Sequence, residues 1–154
     1  MKTKILMVCL GNICRSPLAE GILRAKVAPE NVIVDSAGTA GYHVGEAPDP
    51  RSVDIARKNH IDISTQRCRK FTVSDFDEFD YIFVMDNSNY ENVTALARNA
   101  EDRNKVDRIL NLAYPGKNLE VPDPYYGGKR GFSDVFDMLD NACNILTERL
   151  APQS

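Results

Sequence analysis

The chain has 154 residues, 43% hydrophobic and 27% charged, the balance of one globular domain long enough to bury a full core without a metal or disulfide staple. A net charge of −3 and a pI near 5.4 give no global field toward nucleic acid or anionic membrane, and no apolar run approaches the roughly 20 residues of a membrane span. Four cysteines in a chain of this length do not suggest a disulfide framework, and the first four residues lead straight into an apolar run, so a reducing cytoplasm is the expected location.

Residues 4–8 read as a first strand, a continuous apolar run of the parallel-sheet type. Residues 16–26 read as a helix with Ser16 as its cap, Pro17 at its first position, and Leu18, Ile22 and Leu23 on one face. Residues 31–35 form a second strand, closed by Ser36, Ala37 and Gly38. A Gly- and Pro-rich loop covers 39–48, and Asp49-Pro50 repeats the cap-plus-proline start for a helix to about Lys58. A third strand is expected at 80–85, a helix at 87–98 and a fourth strand within 105–112. The last helix, 133–150, sets its apolar face with Val135, Phe136, Leu139, Cys143, Leu146 and Leu150. No internal repeat or low-complexity segment interrupts this pattern.

Alternating strands and helices predict a single-domain α/β fold over residues 1–154: a doubly wound, flavodoxin-like parallel sheet of about four strands. Such sheets bind ligands outside the carboxyl ends of their strands, at the switch point beside the first one. Cys9, Leu10, Gly11, Asn12, Ile13, Cys14, Arg15, Ser16 and Pro17 follow the first strand at that place. A cysteine and an arginine stand either side of five residues, in a tight loop leading into a helix N-terminus. The loop amides of residues 10–15 and the helix dipole suit a phosphate-like dianion, and Arg15 adds a planar fork for two of its oxygens. The same donors stabilise the thiolate form of a cysteine at the base of the cradle. A buried packing role is the ordinary fate of a free cysteine, but the arginine spacing disfavours it here. Zinc ligation by Cys9 and Cys14 is disfavoured by their gap and by the lack of a further Cys/His pair. The residues therefore point to a cysteine nucleophile acting on a phosphate ester, with no metal or cofactor.

This loop, together with Asp123-Pro124-Tyr125-Tyr126, Asp35–Thr39 and Phe79–Asp86, resembles the low-molecular-weight protein tyrosine phosphatase family, bacterial type, over essentially the whole chain. The resemblance implies that Cys9 attacks phosphorus, that Arg15 and the loop hold the equatorial oxygens, and that Asp123 protonates the leaving phenolate. It also implies that Ser16 steadies the thiolate, and that Asn12, bonded to Ser36, keeps the loop in its unusual geometry. Tyr125 and Tyr126 would form one wall of a slot for a flat ring, with Tyr42 opposite. Cys14 would form a reversible, protective disulfide with Cys9, making the enzyme redox-sensitive. Phosphotyrosine proteins are the implied substrates, and in the bacterial branch a tyrosine autokinase the implied partner. His43 and His60 are assigned solvated roles, and Cys68 and Cys143 packing roles.

Three alternatives remain at this point. Arsenate reductases share the loop but relay a disulfide through further cysteines, and residues 86–92 contain none. Phosphoarginine phosphatases tend to carry threonine where this chain has Ile13. A phosphotyrosine-binding module without turnover would have no use for Asp123.

Overall fold

A computed structural model of the chain describes residues 2–124 and 130–150. Strands β1 (Thr3–Cys9), β2 (Val32–Gly38), β3 (Tyr81–Val84) and β4 (Val106–Arg108) form one sheet in the order β2-β1-β3-β4. All three pairings are parallel. The strand order reverses between β1 and β3, which makes the carboxyl end of β1 the switch point of a flavodoxin-like sheet.

Alternate residues of β1 serve opposite layers. Ile5 and Met7 face a core shared with α1 (Arg15–Lys26), α2 (Pro50–Lys58) and α6 (Gly131–Leu150), through Leu18, Ile22, Ala56, Leu139 and Cys143. Leu6 and Val8 face a second core built around Phe71, Phe76, Phe79 and Val93, beneath α3 (Asp75–Glu78) and α4 (Asn87–Thr94). A strand buried on both faces needs the unbroken apolar run that β1 carries. On α6, Val135, Phe136, Leu139, Cys143 and Leu146 are buried and Leu150 packs at the margin, the face expected from the sequence.

Several boundaries differ from the sequence expectation, each for a physical reason. β2 continues through Ser36, Ala37 and Gly38, because these pair with Met7, Val8 and Cys9 instead of turning away. The first helix begins at Arg15 with Cys14 as its cap and no side-chain cap bond, so Ser16 is not the cap: its hydroxyl is engaged by Cys9 and Asn12. β4 stops at Arg108, and Ile109–Leu112 coil into a 3₁₀ turn that delivers Ile109, Leu110 and Leu112 to the α6 core. The helix starting at Asn87 ends at Thr94. A separate helix, α5 (Ala100–Asn104), starts on an Asn99 cap. Arg98, between them, is clasped by Asp77 and Asp102. α6 starts at Gly131, two residues early, where a Cβ would stand 2.9 Å from the carbonyl oxygen of Pro124. That close approach ties the last helix to the segment carrying Asp123. Among the described residues, no helix is long and apolar enough to cross a membrane.

Candidate active site

β1 carries Cys9 to the carboxyl edge of the sheet, and the chain turns through residues 10–14 directly into α1. The carbonyls along this turn are drawn outward. Those of Cys9 and Leu10 accept from Thr39 and Ala40 N–H groups, that of Ile13 from Asp49 N–H, and that of Asn12 from the Cys68 thiol at 2.8 Å. With the oxygens committed outside, the peptide N–H groups are left for the interior of the turn, and α1 contributes the positive end of its dipole there. Gly38 makes this possible: a Cβ on it would lie 2.7 Å from the Leu10 carbonyl oxygen and 3.0 Å from the Asn12 nitrogen.

Asn12 is the hub of the turn. Its φ of 57° is left-handed, a region asparagine tolerates better than most residues. Its side-chain oxygen accepts from Arg69 N–H at 3.0 Å, which fixes the amide orientation. Its Nδ2 then donates to Ser16 Oγ at 2.8 Å and to Ser36 Oγ at 3.0 Å. Ser36 donates onward to Glu20 Oε1 at 2.7 Å. Because Ser16 accepts from Asn12, its own proton is available to Cys9 Sγ, 3.0 Å away. The Ala37 carbonyl, 3.4 Å from Ser16 Oγ, is a second acceptor for that proton, and once Cys9 is a thiolate only the hydroxyl can donate across the shorter Cys9–Ser16 contact. Burial raises the Glu20 carboxyl above its ordinary value, against the opposing pull of Ser36 and Arg24.

Arg15 is 4% exposed and anchored on one side: Nη1 donates to Asp86 Oδ2 at 2.8 Å and to the Val121 carbonyl at 2.9 Å. Both bonds use Nη1, so the Nε–Nη2 edge is the one an anion would take. Burial works against the guanidinium, but Cys9 and Asp86 outweigh it and hold Arg15 above its ordinary value. Asp86 is a partner that no local sequence motif announces. The available signal was its place just after β3, the strand beside β1, where it also caps α4.

The cleft above the turn has a volume of about 320 Å³. Cys9 and Arg15 lie in its lining with most of the turn between them, Tyr42 and His43 come from the loop after β2, and Asp123 completes the wall. His43, expected as a solvated loop residue, is part-exposed and also lines the cleft, with Nδ1 2.7 Å from Glu46 Oε2. Tyr42 stands at the mouth, 77% exposed. The predicted slot residues Tyr125 and Tyr126 lie outside the described residues. Cys14 is buried, and burial followed by the nearby Asp49, Cys9 and Asp123 pushes its thiol up to about 12. Cys68 does more than pack, since its thiol holds the Asn12 carbonyl. Its burial, then Cys9 and Glu46, raise it to about 11. Cys143 is a core residue, raised by burial to about 12.

Four findings from known proteins align with this site. Residues 4–154 match the family model described as low molecular weight phosphotyrosine protein phosphatase. A low molecular weight phosphotyrosine protein phosphatase of Schizosaccharomyces pombe is 42% identical over 149 residues, covering 93% of this chain and 94% of that protein. The crystal structure of a protein tyrosine phosphatase from Entamoeba histolytica, with Hepes in its active site, superposes with a TM-score of 0.89 at 39% identity and 97% coverage of both chains. Wzb from Vibrio vulnificus, in complex with benzylphosphonate, superposes at 0.85 with 28% identity, covering 97% of this chain and 99% of that one.

Proposed function

This chain belongs to the low molecular weight phosphotyrosine protein phosphatase family, and from that premise we propose that Cys9, Arg15 and Asp123 are its catalytic residues within one phosphatase domain, residues 1–154. The protein is a phosphoric monoester hydrolase acting on phosphotyrosine through a cysteinyl-phosphate intermediate. The observation that carries the residue assignment is the alignment of Cys9 Sγ with the Ser16 hydroxyl at 3.0 Å in a cleft also lined by Arg15 and Asp123.

In the first step the Cys9 thiolate attacks phosphorus in line, the bond from phosphorus to the phenolic oxygen breaks, and Asp123 in its acid form gives that oxygen a proton. Arg15 and the amides of residues 10–15 hold the three equatorial oxygens while their charge redistributes. In the second step a water molecule attacks phosphorus and gives a proton to the Asp123 carboxylate. The sulfur–phosphorus bond breaks, and the departing thiolate receives the Ser16 hydrogen bond. Both steps balance without a metal, because the guanidinium and the backbone donors supply the electrostatic stabilisation. Tyr42, with Tyr125 and Tyr126, would clasp the phenyl ring.

A cytoplasmic location is consistent with four cysteines that are all free. In a bacterial host a tyrosine autokinase is the natural partner of such a phosphatase. The absence of cysteine from residues 86–92 and the bulk of Ile13 weigh against arsenate reduction and phosphoarginine hydrolysis. The test is steady-state hydrolysis of phosphotyrosine, phosphoserine, phosphoarginine and a chromogenic aryl phosphate in EDTA, with Cys9→Ser as control. Turnover of the aryl esters alone, abolished in the variant, is expected. Preference for phosphoarginine, or loss of activity in EDTA, would overturn the proposal.

A further inference from the structure

The carbonyls on the outer side of the phosphate-binding turn are not all held by the same kind of group. Those of Cys9, Leu10 and Ile13 accept from the backbone N–H groups of Thr39, Ala40 and Asp49, at 2.9, 2.9 and 2.8 Å. A backbone donor is present whatever residue other than proline occupies its position. The Cys14 carbonyl meets the Ser52 hydroxyl but also serves Leu18 N–H at the start of α1. The Asn12 carbonyl accepts from a side chain, the Cys68 thiol, at 2.8 Å. Here the wall of the turn depends on the chemistry of one residue.

The Asn12 carbonyl and the Ile13 N–H belong to one planar trans peptide and point in opposite directions. Holding the oxygen outward on Cys68 therefore aims the Ile13 N–H into the cradle. Rotation of one peptide plane is what separates a type I from a type II turn, so a plane beside the left-handed Asn12 needs a partner to keep one orientation. A donor on the carbonyl also polarises the peptide and strengthens its N–H.

Cys68 suits this task. It is 4% exposed, and burial, followed by the nearby Cys9 and Glu46, raises its thiol to about 11, so it keeps its proton and remains a donor at neutral pH. Its backbone is fixed independently of its side chain: its N–H donates to the Glu46 carbonyl and its carbonyl accepts from Gly45 N–H, both at 2.8 Å. The next residue, Arg69, donates its N–H to Asn12 Oδ1 and pairs its guanidinium with Asp35 and Asp75. A change of side chain at Cys68 thus removes one bond to the turn and leaves its neighbours in place.

We propose that Cys68 is a positioning residue for phosphoryl transfer: its S–H donates to the Asn12 carbonyl and so aims the Ile13 N–H at an equatorial phosphoryl oxygen. This rests on the phosphatase reading and deepens it. Cys68 acts through the Asn12–Ile13 peptide and not on the substrate.

Three variants separate the donor from the volume of the side chain. Cys68→Ala removes both, Cys68→Val keeps bulk without a donor, and Cys68→Ser keeps a donor on a smaller side chain. Each is measured for kcat and KM on an aryl phosphate, for inhibition by vanadate and by inorganic phosphate, and for its midpoint in a denaturant titration. Cys68→Ala and Cys68→Val should lower kcat about tenfold with KM moved less than about threefold, a smaller loss than the roughly hundredfold or more of deleting a whole oxyanion donor. Vanadate, which takes the five-coordinate geometry of the transfer, should weaken as an inhibitor about as much as kcat/KM falls, and phosphate by less. Cys68→Ser should recover most of the lost kcat without recovering stability over Cys68→Ala. Wild-type kcat in Cys68→Ala, or activities that follow stability instead of the presence of a donor, would overturn the proposal and leave the phosphatase reading intact. Should Cys68→Val not fold, the Ala and Ser variants decide the matter between them, since both are smaller than cysteine and one alone can donate. Failure of the wild type to hydrolyse any aryl phosphate would overturn the phosphatase reading itself, and the proposal with it.

Discussion

The phosphate-binding turn and the loop that follows β2 line the same cleft but are built in opposite ways. In the turn and its entry to α1, Cys9, Asn12, Arg15 and Ser16 are all at most 4% exposed, and each is held by bonds to at least one other element. In the loop, Tyr42 is 77% and Val44 59% exposed, and the backbone, more than the side chains, is tied down. The difference separates two jobs. Charge must be stabilised by groups that do not reorganise during the reaction, which requires buried, over-determined donors. Recognition of variable protein substrates is served by side chains on a fixed backbone that still face solvent.

Substitutions test that division. The largest effect short of losing the nucleophile is expected at Asp123. Asp123→Asn should lower kcat on an unactivated phenyl phosphate by about 10²- to 10⁴-fold, and by much less on an ester with an activated leaving group. Equal losses on both, measured by steady-state kinetics, would remove Asp123 from the general-acid role. Next comes the hub. Asn12→Ala should lose about 1–2 kcal/mol of stability from a left-handed non-glycine residue, and lower kcat on every substrate alike. Asn12→Gly relieves the φ strain but not the missing bonds to Ser16 and Ser36. It should recover stability in a denaturant titration without recovering kcat. A Gly variant with full activity would mean that backbone shape alone matters.

Smaller effects are expected at the mouth. Tyr42→Ala should raise KM for aryl phosphates about two- to tenfold with little change in kcat, the scale of one aromatic contact. A loss confined to kcat would break the distinction drawn between the two regions. The smallest effect concerns stability. The folded-state value of Glu20 lies above its ordinary 4.5, so its favourable contribution is complete below that pH and lost as pH rises through the raised value. Glu20→Gln does not titrate, and its melting temperature relative to wild type should climb as the pH goes from below 4.5 toward neutrality. A flat difference would contradict the burial-driven shift.

Much of this was legible in the chain because the relevant signals are local. The apolar run at β1, the spacing of Cys9 and Arg15, and Asp49-Pro50 opening α2 each state their structure within a few residues. Other features depend on parts of the chain far apart. The Arg15–Asp86 pair spans 71 residues and the Asn12–Arg69 bond 57, and neither has a sequence motif of its own. His43 looked like a loop histidine because nothing nearby in sequence shows that Gly11 lies beneath its ring. The fourth strand was overextended because Ile109 and Leu110 carry strand-like side chains, yet the sheet ends there and the α6 core claims them. Ser-Pro is ordinary helix-start chemistry and predicts Ser16 as a cap, whereas here the hydroxyl meets the sulfur.

Covalent transfer of the phosphoryl group to Cys9 is the step on which every assigned role depends. Asp123→Asn, mixed with an activated aryl phosphate and quenched in acid during turnover, should yield a peptide containing Cys9 that is heavier by one phosphoryl group, as read by mass spectrometry. The adduct should be absent from the same preparation carrying Cys9→Ala as well. No phosphoryl adduct during turnover, or an adduct on a residue other than Cys9, would contradict the assignment of Cys9 as the nucleophile.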